Sequence, residues 1–126
     1  MSGPELDTDS LSALSAVVAA FMAERDWDRY HTPKNVAAAI AVEAAELQEI
    51  YLWREGSDPA EDKRAQIEAE TADIAICLLN FCNRTGIDLG AAMLKKLASA
   101  AKKYPVERVH GSMKKYDDYA EWDGER

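Results

Sequence analysis

The stretch that decides the fold is TPKNVAAAIAVEAAELQEIYLW, residues 32–53. Threonine followed by proline is a strong helix start, because threonine caps free N–H groups and proline is tolerated in the first turn. Apolar residues then recur at the spacing of one buried helical stripe, namely Val36, Ile40, Leu47 and Ile50. Glu43 occupies the remaining position of that stripe. The stretch therefore predicts a helix to about Trp53 that carries a carboxylate on its packed face.

Three further helices flank this one in the sequence. Ser10 and Asp88 are suited to capping helix starts, and Gly86 supplies the left-handed conformation that ends a helix. The first is predicted to begin after Ser10, to carry Leu11 to Met22 and to end in the polar string at 24–31. The others are predicted from about Ala60 to Arg84, with an interruption near the start, and from Asp88 to about Lys103. No strand alternation or hairpin signal appears, so the pattern predicts an all-α, four-helix bundle.

Length and composition are typical of one globular domain. The chain has 126 residues, 48% of them hydrophobic and 30% charged. We assign residues 1–9 to a disordered leader, 10–111 to the helical domain and 112–126 to a C-terminal tail. Because helices this rich in alanine bury little area per residue, we expect part of their apolar surface to face a second subunit.

Charge and hydropathy exclude several classes of partner. A net charge of −8 argues against nucleic acid as the main partner, since phosphate neutralisation needs a cationic surface. The N-terminal residues lack a basic region and no apolar run is long enough for a membrane span. We therefore expect a cytoplasmic protein. Cys77 and Cys82 match neither a redox pair nor a zinc motif and are interpreted as buried free thiols.

Carboxylates recur in pairs on two of the predicted helices. Glu43 and Glu46 are three residues apart, with Glu49 three residues further, and Glu70 and Asp73 repeat the spacing on the third helix. Residues three and four apart project together from a helix. Clustered acids near a core repel and lose solvation unless a cation or proton neutralises them. An oxygen-only ligand set suits Mg²⁺, with Mn²⁺ as an alternative, and points to phosphoryl transfer.

Other interpretations of these residues stay open. Any one of the acids by itself is more typical of a solvated helix face. A di-iron bundle would need Glu-x-x-His pairs, and neither histidine follows a glutamate at that spacing. Lys96 and Lys103 belong to a basic segment that either contacts a triphosphate tail or is a solvated surface.

Aromatic residues flank the acids in sequence. Trp27, Tyr30 and Trp53 are candidates for stacking a base, although core packing is the usual role of tryptophan in a small bundle. His31 either donates to a phosphate or base or lies on the surface.

Several of these motifs together resemble one protein family. They are ERDW-x-x-x-H at 24–31, PKN at 33–35, E-x-x-E at 43–46, E-x-x-D at 70–73, GIDL at 86–89 and KKYPVE at 102–107. In order and spacing they resemble the MazG-like nucleotide pyrophosphohydrolases, most closely the single-domain dCTP pyrophosphatase branch. The likeness extends from Leu11 to Gly111.

The resemblance implies an activity and a set of site residues. It implies a homodimer or homotetramer in which Mg²⁺ is bound and water cleaves a nucleoside triphosphate into monophosphate and pyrophosphate. The implied metal ligands are Glu43, Glu46, Glu70 and Asp73, with Glu49 as an additional acid of the catalytic set. The implied nucleotide-binding residues are Trp27, Asp28, Arg29, Tyr30, His31, Trp53 and the position of Cys77.

Three positions depart from the pattern of that branch. A base-contacting tyrosine is replaced by Cys77, an asparagine by Ala100 and a histidine by Val18. The metal ligands are kept, so hydrolysis is a firmer expectation than a preference for dCTP, and modified or non-standard nucleotides are candidate substrates for nucleotide pool sanitation. The alternatives are a dUTP or other nucleotide hydrolase of the same fold, and a binding or oligomerisation module without turnover.

Overall fold

The computed structural model describes residues 10–112. Its elements are α1 (Leu11–Glu24), α2 (Pro33–Tyr51), a 3-10 turn (Glu61–Lys63), α3 (Arg64–Thr85), α4 (Leu89–Lys103) and α5 (Val106–Val109). No strand occurs within residues 10–112, so the prediction of an all-α fold is confirmed. The predicted leader and all of the predicted tail except Ser112 lie outside the described residues.

Side-chain caps fix the starts of the three predicted capped helices. Ser10 Oγ accepts a hydrogen bond from the N–H of Ala13 at 3.2 Å, and Thr32 Oγ1 accepts one from the N–H of Asn35 at 3.2 Å. Asp88 Oδ1 likewise accepts from the N–H of Ala91, 3.1 Å away. Each cap satisfies a donor that the helix itself leaves unpaired, which is why these starts were readable from sequence.

Two helix boundaries differ from the prediction. The second helix ends at Tyr51, two residues short of Trp53, because the N–H of Leu52 bonds to the carbonyl of Glu49 and tightens the last turn. The third helix begins at Arg64 after the separate 3-10 turn, which is the predicted interruption. Gly86 ends it with φ 71°, as its position predicted. The short helix α5, directly after Pro105, was not predicted.

The chain divides into two compact units at the boundary between Ile87 and Asp88. In the first unit α3 packs against both α1 and α2. The amide of Asn83 on α3 donates to the backbone carbonyl of Ser15 on α1 at 3.0 Å. Buried apolar residues of this unit are Val18, Met22, Val36, Ala60, Leu79 and Cys82. The second unit holds α4 and α5.

None of the helices within residues 10–112 is long and apolar enough to cross a membrane.

Candidate active site

Three carboxylates from two helices meet between α2 and α3. Glu43 and Glu46 lie one turn apart on α2, and Glu70 lies on α3. One oxygen from each lies within 4.8 Å of the other two. Three of the four acids predicted to bind metal are therefore brought together, and tertiary packing supplies the third from a different helix. Asp73 is outside this group of three, although its charge acts on both Glu43 and Glu70.

The protonation of these acids shows how strongly they interact. A hydrogen bond with Glu46 is the main cause that raises the pKa of Glu43, and partial burial adds to it. Burial is the main cause that raises the pKa of Glu70, followed by its hydrogen bond with Glu46. The charge of Asp73 raises the pKa of both, and that of Glu49 raises the pKa of Glu70. Burial and the neighbouring negative charges both disfavour the ionised form of a carboxyl group, so they act in the same direction here.

Two oxygens of the cluster have no hydrogen-bond partner among the described residues. They are Oε2 of Glu43 and Oε2 of Glu70, and both are shielded from solvent. An unpaired buried carboxylate oxygen is costly unless a proton or a cation compensates it. The donor set consists only of carboxylate oxygens, which is the ligand chemistry of Mg²⁺ and Mn²⁺. The residues present therefore fit a divalent cation.

A cleft of about 500 Å³ opens beside the carboxylates. Its lining residues are Glu46, Glu49, Ile50, Lys63, Gln66 and Glu70. Lys63 and Gln66 were not identified from the sequence. They lie seven and four residues before Glu70, a spacing that places all three on one face of a helix and could have revealed them. Lys63 brings a positive charge to an otherwise acidic cleft.

Beyond the acids, α3 continues as a line of polar residues. Glu70, Asp73, Cys77, Asn80 and Arg84 follow one another at alternating intervals of three and four. Such a repeat keeps side chains on one face of a helix. Cys77 is half-buried, and its pKa is raised first by burial and then by the charges of Glu43 and Asp73. We call these five residues the polar seam of α3.

The segment between α1 and α2 meets the far end of the polar seam. The ring centroid of Trp27 lies 5.8 Å from that of Phe21 in an edge-to-face arrangement and 6.1 Å from that of His31. Nδ1 of His31 lies 3.0 Å from Nδ2 of Asn80 on α3. Two residues predicted to bind nucleotide, Trp27 and His31, are thus neighbours. Asn80 was missed because its partner lies far away in the sequence.

The other predicted residues of this segment have separate partners. Asp28 forms an ion pair with Arg84 at 3.3 Å. Arg29 pairs with Asp26 at 3.0 Å and lies over the ring of Tyr30 at 5.1 Å. Asp28 therefore anchors the segment to α3, whereas Arg29 and Tyr30 lie on its exposed side.

Three predicted nucleotide-binding residues lie outside these clusters. Trp53 follows the end of α2 and is 92% exposed, so it contributes almost nothing to the core. Lys96 is exposed on α4, and Lys103 is half-buried in the last turn of that helix. Their contact with nucleotide remains a prediction.

Comparison with known proteins shows which family has this architecture. Residues 38–119 match the model of the MazG-like family. The chain belongs to the MazG-like family. This MazG-like protein is 34% identical to dCTP pyrophosphatase 1 of Bos taurus and 31% identical to that of Homo sapiens. Each alignment covers 86% of this chain, and covers 68% of the bovine and 67% of the human protein.

A solved structure shows the same fold. This is a pyrophosphatase from Archaeoglobus fulgidus, 34% identical, with a TM-score of 0.72 over 82% of this chain and 99% of that one. The predicted family and its all-α fold are thereby confirmed for this MazG-like chain.

Proposed function

We propose that this chain is a Mg²⁺-dependent pyrophosphohydrolase that cleaves a ribo- or deoxyribonucleoside triphosphate into the monophosphate and pyrophosphate. Family membership and the pyrophosphatase relatives support the enzyme class, nucleotide pyrophosphohydrolase. The observation that carries the metal requirement is the convergence of Glu43, Glu46 and Glu70 within 4.8 Å. Homo-oligomeric assembly and a cytoplasmic location belong to the same proposal.

Glu43, Glu46 and Glu70 would hold the divalent cation, with Asp73 as the fourth ligand. When bound, the cation would act as a Lewis acid on phosphoryl oxygens and balance the charge that develops on them. Glu49 lines the cleft without belonging to the group of three. In this proposal its carboxylate orients the attacking water and accepts the proton. Lys63, in the same cleft, would bind the phosphates that leave as pyrophosphate.

The nucleoside is proposed to extend along the polar seam toward Trp27 and His31. Trp27 offers an aromatic face, 42% exposed, next to the imidazole. Val18, where the resembled branch has a histidine, is buried, and Cys77, where it has a tyrosine, is half-buried. Because these side chains give fewer polar contacts to a base, we propose that the pocket accepts dCTP and cytosine analogues with larger substituents.

Pyrophosphate release tests the activity and the substrate class together. A panel of standard and base-modified nucleoside triphosphates is incubated with Mg²⁺ and, in parallel, with a chelator. Metal-dependent release with monophosphate as the other product is expected. Both dCTP and at least one modified cytidine triphosphate should be turned over. If dUTP is preferred over every cytidine nucleotide, the substrate assignment is wrong.

Glu70→Gln tests the metal cluster, and Glu68→Gln is its matched control. Both changes remove one negative charge from α3, but Glu68 is exposed and pairs only with Arg64 at 3.2 Å among the described residues. Turnover is expected to fall on the order of 100-fold or more in Glu70→Gln, the size of effect seen when one electrostatic contact to a transition state is lost. Glu68→Gln should retain the turnover of the wild-type protein. Equal activity of the two variants would remove Glu70 from the site.

No metal-dependent release from any nucleotide, with the helical fold intact by circular dichroism, would instead favour a binding or oligomerisation module.

A further inference from the structure

Asn80 is a buried polar residue to which the proposed reaction assigns no role. It lies on α3 and is only 3% exposed. Nδ2 of its amide lies 3.0 Å from Nδ1 of His31, 49 residues away in the sequence. Its Oδ1 is buried and has no partner among the described residues. The bond to His31 is thus the one described hydrogen bond of this buried amide, which suggests that the amide orients the imidazole.

The direction of this hydrogen bond follows from counting donors and acceptors. If Nδ2 donates, the orphaned carbonyl oxygen remains. If the amide is rotated so that Oδ1 accepts, both N–H groups of Nδ2 are left without a described partner. Orphaned N–H groups are rarer in buried sites than under-satisfied carbonyl oxygens. Nδ2 is therefore the donor and Nδ1 of His31 the acceptor.

An imidazole nitrogen that accepts a hydrogen bond carries no proton. The proton of neutral His31 must then be on Nε2, so the ring presents an N–H donor at that atom. The imidazole is half-buried, which leaves part of it accessible to a ligand. Asn80 thus decides whether His31 offers a donor or an acceptor.

The backbone around His31 is held in place as well. Its N–H donates to the carbonyls of Trp27 at 3.1 Å and Asp28 at 3.2 Å. One turn beyond Asn80, Arg84 pairs with Asp28 at 3.3 Å. The segment is therefore attached to α3 at two successive turns, through His31 at Asn80 and through Asp28 at Arg84.

The polar seam links this pair to the carboxylates. Asn80 and Asp73 are seven residues apart on the same face of α3, about 10 Å along the helix axis at the usual rise per residue. A nucleoside triphosphate with its phosphates at the acids is long enough to span this interval. His31, bonded to Asn80, is therefore within reach of a ligand that follows the seam.

We infer that Asn80 is a positioning residue that holds His31 as the Nε2–H tautomer, so that His31 donates a hydrogen bond to an oxygen of the bound nucleoside triphosphate. The inference rests on the proposed function for the identity of the ligand. The tautomer itself does not depend on that function.

Long-range ¹H–¹⁵N spectra of the imidazole measure the tautomer directly. The chain has two histidines, so His31→Gln assigns the signal. The wild-type protein should show an unprotonated Nδ1 and a protonated Nε2. Asn80→Asp can only accept a hydrogen bond at neutral pH, so it should move the proton to Nδ1 or protonate both nitrogens. A protonated Nδ1 in the wild-type protein would overturn the inference.

Ligand binding is tested with two probes, α,β-imido-dCTP, in which a P–N–P link replaces the α,β-phosphoanhydride, and inorganic triphosphate, which carries no nucleoside. Each is added with Mg²⁺, and the Nε2–H signal of His31 is followed. A shift with both probes assigns the accepting oxygen to the phosphates, and a shift with the imidonucleotide alone assigns it to the nucleoside. No shift with either probe would contradict the donor role, even if the enzyme turns over substrate.

Kinetics separate positioning from mere stability. Asn80→Asp should raise KM on the order of 10-fold, because it reverses the tautomer. Asn80→Leu removes the donor without reversing the tautomer, so its KM should rise less. Asn83→Asp makes the same amide-to-carboxylate change on α3, where the amide of Asn83 donates to the backbone carbonyl of Ser15 on α1. It should lower thermal stability while leaving the His31 tautomer and KM unchanged. If KM follows the melting temperature across all three variants, Asn80 has a structural role only.

Discussion

Glu43 and Glu70 are the residues in which burial and chemistry conflict most directly. Both are half-buried, both have an oxygen with no hydrogen-bond partner among the described residues, and the pKa of each is raised by burial together with its neighbours. An ordinary core would place apolar side chains at these positions. A bound cation would offset their repulsion, so we expect the stability of the chain to depend on metal.

The pH dependence of stability follows with a definite sign. Because the folded-state pKa of Glu43 and Glu70 is raised above the ordinary value of 4.5, the folded chain holds more protons than the unfolded chain as the pH rises past that value. In metal-free protein, with a chelator present, the contribution of these two groups to stability is therefore present below pH 4.5 and is lost as the pH rises through their raised folded-state pKa values. The melting temperature should decrease over that pH range, and added Mg²⁺ should make the decrease smaller.

Asp62 provides an internal comparison for that titration. Its hydrogen bonds to Arg54 lower its pKa below the ordinary 3.8, so its contribution is lost only as the pH falls further. In the double variant Glu43→Gln, Glu70→Gln the melting temperature should no longer decrease with pH above pH 4.5. Its decrease at acidic pH, to which Asp62 contributes, should be unchanged. A slope that survives in the double variant would assign the pH dependence to other groups.

The element that sets the spacing of the site is the connection between α2 and α3. Arg54 donates from Nη1 and Nη2 to the two oxygens of Asp62, at 2.7 Å each, and from Nη1 to Asp58 at 3.3 Å. Asp58 in turn accepts from the N–H of Ala60 at 2.8 Å, which holds that fully buried residue in a left-handed conformation with φ 53°. The loop therefore fixes where the 3-10 turn begins, and with it the position of Lys63 at the end of that turn.

Arg54→Lys tests this connection. The lysine keeps the charge but loses the planar fork that engages both oxygens of Asp62. We expect a melting temperature lower by several degrees and weaker Mg²⁺ affinity, measured by calorimetry, since α3 carries Glu70. Arg64→Lys is the control, because its pair with Glu68 is exposed and such pairs contribute little. Equal effects of the two changes would contradict the role of the loop.

At the scale of the whole molecule, the described core is small for the helices that surround it. Large apolar side chains on α1 and α3 stay substantially exposed, including Val17 at 40%, Phe21 at 44% and Ile76 at 40%. An apolar groove of about 380 Å³ runs between α1 and α3 and is lined by these residues together with Leu14, Val18, Met22, Ala72, Ala75 and Leu79. Apolar surface of this kind is typical of an interface, and the homodimer or homotetramer expected from the sequence remains a prediction.

Charge placed in the groove should disrupt that assembly. Val17→Lys and Ile76→Lys are each expected to lower the molar mass in multi-angle light scattering, because an unpaired ammonium would be desolvated in the interface. Ala20→Lys adds the same charge to α1 at an exposed position that does not line the groove, and should keep the wild-type mass. A wild-type protein that stays monomeric at all concentrations would rule out the oligomer.

The sequence by itself determined the features that depend on near neighbours. Ser10, Thr32 and Asp88 each cap a helix by accepting from the N–H group three residues on, Gly86 ends a helix, and the carboxylate pairs share a helix face because of their spacing. Only the tertiary structure decided which faces meet. Packing of α3 on α2 brought Glu70, but not Asp73, into the group with Glu43 and Glu46.

The same packing brings together residues that were not identified from the sequence. Lys63 lines the cleft, Asn80 meets His31 and Arg84 meets Asp28 because the axial offset and rotation of one helix against another are set by long-range packing. Local hydrogen bonding is encoded within a few residues and is readable from them. The juxtaposition of residues some fifty positions apart depends on the summed packing of the whole unit, so it becomes visible only in the folded chain.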